Sequence, residues 1–111
     1  MEIRPGMFVA AAGDGGWVPD PDVPGTEMLE LVHDGPIWAG QTRITAAPEP
    51  LTWTPEHREV VIVLEGHVRI VFDDGTDVEL GVGDMASIPA SMTTTWHVTT
   101  PFREMWVLAE G

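Results

Sequence analysis

Apolar residues in this chain fall in short runs and alternations of two, and no stretch repeats at the 3.6 spacing of a helix. The clearest run is Glu59-Val-Val-Ile-Val-Leu-Glu-Gly66, in which five of the six residues between Glu59 and Gly66 are aliphatic. So short a stretch, rich in Val and Ile and closed by Gly, predicts a buried strand. Alternation places Glu59, Val61 and Val63 on one face and Val60, Ile62 and Leu64 on the other, so both faces need cover. A carboxylate on an inward face must be paired, protonated or functional.

The same pattern predicts further strands at Thr26–Val32, Ile37–Thr45, His67–Phe72, Thr76–Leu80, Met85–Ile88, Thr93–Thr99 and Arg103–Ala109. Turn residues separate them: His33-Asp34-Gly35, Asp73-Asp74-Gly75 and Gly81-Val-Gly-Asp84. The proline-bearing stretch from Ala46 to Pro55 reads as a loop or an edge segment. Residues 1–25, rich in Gly and Pro, read as an irregular arm with one short strand around Met7–Ala11, and residues 26–111 as a single β-barrel domain. Many short strands with Gly, Pro and Asp punctuation predict an all-β sandwich or barrel.

Composition narrows the chemistry. The 111 residues suit one domain, and a hydrophobic fraction of 43% is enough for a core. No apolar run approaches the ~18 residues of a membrane span, and no signal peptide is evident, so a cytoplasmic protein without membrane contact is expected. The net charge of −13 makes an acidic protein that nucleic acid would repel. The chain contains no Lys, Cys, Tyr or Asn, which excludes Schiff-base lysine chemistry, thiolate catalysis and cysteine metal sites. Four histidines and the carboxylates remain for proton transfer.

Glu59-x6-Gly66 resembles the second half of the first cupin motif, and Gly83-Asp84-Met-Ala-Ser-Ile-Pro89 resembles the start of the second. Trp53-Thr-Pro, Thr95-Trp96 and Arg103-x-x-Trp106-Val add a similarity to small single-domain cupins related to ureidoglycine aminohydrolase and ethanolamine-utilisation proteins. The resemblance implies a cupin-type double-stranded β-helix, or jelly-roll barrel, commonly dimeric, with a pocket inside the barrel. It also implies three His and one Glu around a divalent metal, and here the sequence departs. The first two His positions fall on Trp53 and Pro55, or on Thr52 and Thr54, and the third falls on Thr94. Of that set only Glu59 survives, too few ligands for zinc, iron or manganese. No cofactor is therefore expected; a metal with a non-standard ligand set is the lesser alternative, with His57 and Glu59 as first ligands.

These residues predict a pocket around Glu59 with His57, Trp53, Trp96 and Thr94 close by, Met92, Trp38 and Trp106 as walls, and Arg43 in reach. Five tryptophans are many for so small a core. They either fill the barrel or line a small-molecule site. A dry pocket would raise the pKa of Glu59 and fit it for acid/base work, whereas pairing with Arg43 or Arg58 would leave it structural. Two functions follow: a metal-independent isomerase, cyclase, lyase or hydrolase centred on Glu59 and His57, or a non-catalytic binding or sensor protein with the same pocket. The apolar outer face of the central strand predicts a homodimer.

Overall fold

The computed structural model describes every residue except 1, 12, 14, 22, 24, 47, 48, 110 and 111, so the last two residues of the predicted barrel domain lie outside the description. Ten strands form among the described residues: β1 (Glu2–Arg4), β2 (Met7–Phe8), β3 (Val18–Pro19), β4 (Thr26–Asp34), β5 (Ile37–Ile44), β6 (Leu51–Trp53), β7 (Arg58–Phe72), β8 (Asp77–Leu80), β9 (Met85–Ile88) and β10 (Thr94–Ala109). None of the described residues lies in an α-helix, and no helix is long and apolar enough to cross a membrane.

All pairings are antiparallel. β1 and β2 pair only with each other; the remaining strands run in the order β3-β4-β5-β10-β7-β8, with β6 added to β10 and β9 to β7. The paired strands β7 and β10 make the barrel. The first half of β7 pairs with β9 and with the last part of β10, which continues into β5. Its second half pairs with β8 and with the first part of β10, which also carries β6. Each long strand therefore belongs to two sheets, the way jelly rolls turn a corner.

The corner lies at Gly66. The sequence predicts a turn there, ending one strand and starting the next; the structure runs one strand straight through. Gly66 has φ +84, and a Cβ on it would lie 2.5 Å from the Pro101 carbonyl oxygen and 2.8 Å from that of Thr99. Only glycine tolerates both the left-handed backbone and the approach of the partner strand. Opposite it, the β7–β10 register slips between Thr99 and Arg103, which merges the two predicted strands Thr93–Thr99 and Arg103–Ala109 into β10.

Alternation sorts the side chains as expected. Val61, Val63, Val68, Ile70 and Ile88 are fully buried in the core, with Phe102 beside them. On the other face of β7, Val60 is 40% exposed, Ile62 and Leu64 are half-buried, and Met85, paired with Ile62, is 69% exposed. In the arm, Gly16 packs against Leu29 of β4, and the Trp17 ring sits 4.1 Å from the guanidinium of Arg43 on β5. Ile3, Met7 and Val9 are exposed.

Candidate functional site

The barrel encloses a cavity of about 180 Å³. Alternation selects what lines it. On β10, Phe102, Glu104, Trp106 and Leu108 share the inward face; on β5 they meet Trp38, Thr42 and Ile44, and Thr26 and Met28 of β4 close one side. Gly40 stands opposite Trp106, where a Cβ would lie 3.0 Å from the indole Cζ2 and 2.5 Å from the Leu29 carbonyl, so the missing side chain makes room for the ring. Trp96, Glu59 and the β6 residues Leu51, Thr52 and Trp53 complete the wall.

Glu59 sits where the sequence predicts, 6% exposed and on the cavity wall. No arginine reaches it. Arg43 turns to the other side of β5, where its Nε donates to Glu27 at 2.9 Å, and Arg58 donates to Ser87 at 2.8 Å. The partner of Glu59 is Trp53, whose Nε1–H donates to Oε1 at 3.0 Å. Burial pushes the Glu59 carboxyl up from 4.5 to about 7, and the Trp53 hydrogen bond opposes that rise.

A second buried carboxyl, which the sequence reading does not include, faces the same cavity. Glu104 is 8% exposed, and its Oε2 has no hydrogen-bond partner. Burial raises its pKa well above the usual carboxylate range, and the charge of Glu59 raises it further. Glu59 thus ionises first, and Glu104 would have to ionise against it. Leu108 stands opposite Glu59, four residues along β10 from Glu104. The two backbones are therefore staggered by roughly 13 Å along the strands, and both residues line the one cavity.

Other predicted site residues are placed differently. Thr94 is fully buried but does not line the cavity; it accepts from Trp96 Nε1 at 2.8 Å and donates to the Trp53 carbonyl at 2.7 Å. It holds two of the lining rings in position. His57 is a correction to the sequence reading: it lies in the bend before β7, where strand alternation no longer applies, and lines a separate outer hollow. Arg43 and Met92 are corrections too. The first faces away from the cavity, and the second sits half-buried in the loop before β10, outside the cavity wall. Trp38 and Trp106 do line the cavity, their rings edge to face with centroids 5.4 Å apart. The outer hollow, of about 400 Å³, shares Trp38, Trp53 and Leu108 with the inner cavity and adds His33, Glu56 and His57.

The donors do not fit the three-His, one-Glu metal group of cupins. At the corresponding positions Trp53 uses its N–H on Glu59, and the Thr94 hydroxyl is engaged by Trp96 and Trp53. No cluster of three or more His, Cys, Asp and Glu side chains placed to hold a metal occurs among the described residues.

Comparison with known proteins gives a consistent result. The family described as EutQ-like cupin domain matches residues 44–105. The EutQ protein of Clostridium difficile superposes with a TM-score of 0.66 at 19% identity, over 78% of this chain and 63% of that one. This chain thus spans less than two thirds of that protein's length. A putative ethanolamine utilization protein Q of Salmonella typhimurium gives 0.65 at 23% identity, over 93% and 94% of the two chains. KdgF from Halomonas sp. gives 0.72 at 16% identity, over 94% and 93%. Among curated proteins none matches the chain.

Proposed function

We propose, for a chain that belongs to the EutQ-like cupin family, that it binds a small molecule inside the barrel and moves protons on it without a metal. The observation that supports this reading is the pair of buried carboxyls, Glu59 and Glu104, facing one apolar cavity from adjacent strands. A carboxyl with its pKa at about 7 serves as base or acid near neutral pH. Glu104, held protonated, is the complementary acid. In the simplest cycle Glu59 takes a proton from one atom of the ligand while Glu104 gives one to another, the electrons shifting between those atoms; once product leaves, Glu59 releases its proton and Glu104 regains one by exchange with solvent. This is an isomerisation or, if a group departs, a lyase reaction. Neither needs an oxidant or a covalent nucleophile. The tryptophans exclude water and keep the two carboxyls in their uncommon states.

The cavity, about 180 Å³, falls below the ~300 Å³ at which drug-sized sites begin, so the ligand is small. A panel of small metabolites, scored first by thermal shift and then by NMR for chemical change, tests the reading. The expected outcome is turnover with a pH profile governed by one group near 7, lost in Glu59→Gln. A ligand held and recovered unchanged would leave a binding protein in place of an enzyme. An Glu59 carboxyl that titrates near its ordinary value would remove the basis for proton transfer.

A further inference from the structure

Four indoles line the cavity, and each of their N–H groups is already engaged by the protein. Trp38 donates to Glu30 at 3.0 Å, Trp53 to Glu59 at 3.0 Å, Trp96 to Thr94 at 2.8 Å and Trp106 to Thr42 at 2.8 Å. What the rings present to a ligand is therefore π surface and apolar edge. Among the described residues, no arginine or histidine lines the cavity, and the chain has no lysine. The ionisable groups on the wall, among the described residues, are all carboxyls, Glu59, Glu104 and Asp20.

Such a wall offers carboxyls and ring faces and no cation of its own. An anionic ligand would bring more negative charge into a dry space lined by acids, with no charged donor to meet it. A cation meets both the carboxyls and the electron-rich faces of the rings, an arrangement suited to ammonium groups. A bare divalent ion is a poor match, because it requires several oxygen ligands in a closed shell and indole faces supply none. We propose that the inner cavity selects a small organic cation of the substituted-ammonium class, its charged head against Glu59 and the ring faces and its remainder passing Trp38 and Trp53 toward the outer hollow. This deepens the proton-transfer reading by naming its ligand class, and it rests on that reading for the identity of the site. The surface charge of −13 favours the approach of such a ligand.

The test compares two molecules of one shape. Choline and its neutral carbon isostere 3,3-dimethyl-1-butanol are titrated into the full-length protein by calorimetry, with tryptophan fluorescence as a second signal. Choline is expected to saturate at least about tenfold more tightly than the isostere, a factor of ten corresponding to about 1.4 kcal/mol. Glu59→Gln, which keeps the side-chain shape and removes the carboxyl that ionises first, is expected to lower choline affinity severalfold and leave the isostere unmoved, with circular dichroism confirming the fold. Equal or tighter binding of the isostere, or no saturable binding of choline, overturns the proposal. A ¹³C titration of Glu59 in the ligand-free wild-type protein separates the two levels. A midpoint near 7 without cation preference sinks the ligand class and spares the proton-transfer reading. An ordinary carboxylate midpoint sinks the latter, whichever molecule binds.

Discussion

At the scale of single residues, the site turns on a carboxyl that is easier to protonate than to ionise. Glu59 has its pKa raised from 4.5 to about 7 in the folded chain. Its contribution to stability is therefore fully present below pH 4.5, shrinks as pH rises through the interval to about 7, and is absent above it. The shift corresponds to about 3 kcal/mol. Wild-type protein is expected to lose stability between pH 5 and 8, and Glu59→Gln to lose less and to exceed wild type at pH 8. Urea denaturation at the two pH values checks this; parallel curves for the two proteins would contradict it. Trp53→Phe removes the hydrogen bond that favours the charged form. The Glu59 midpoint in that variant is expected above 7 by ¹³C NMR, and an unchanged or lower midpoint would show that the indole does not set it.

Glu59 was legible because a charge opening an aliphatic strand conflicts with its own alternation. Glu104 carried the same signal, since it alternates with Phe102, Trp106 and Leu108. It is obscured by its neighbour Arg103, which makes the pair look like surface charge. His57 misled for the opposite reason. It stands two residues before Glu59, where a regular strand would turn both to one face, but the strand starts at Arg58.

At the scale of elements, strand positions followed from the pattern, and strand continuity did not. Gly66 and Pro101 both read as breaks. In the barrel they face each other at a bend that two unbroken strands share, and nothing in the local sequence separates a bend from an end. The distinction depends on the partner strand, which is far away in sequence. Gly66→Ala places a methyl 2.5 Å from the Pro101 carbonyl in a backbone conformation with φ +84. A loss of about 2 kcal/mol or more is expected in chemical denaturation, against a change of a few tenths for an unstrained exposed site.

At the scale of the whole molecule, the acidic surface coexists with an apolar strip on the outer side of β7 and β9. Val60 and Met85 are exposed there, and Ile62 and Leu64 are only half-covered. Covering a large aliphatic side chain is worth about 1.5–3 kcal/mol. The homodimer expected from the sequence would use this strip, which has few acids to repel a second copy. Light scattering should then give twice the 12.1 kDa chain mass, reduced to one by Met85→Asp. A wild-type monomer would show that the strip stays in water.

The corner at Gly66 has one more implication. The register of β7 and β10 slips through Arg103 and resumes at Glu104, so the irregularity that folds one sheet over the other also fixes where this acid begins. The shape of the barrel and the placing of a buried carboxyl depend on the same joint. A substitution there, touching neither carboxyl, would re-aim one relative to the other, so the Glu59 midpoint is expected to respond to changes at a joint that lies outside the cavity wall.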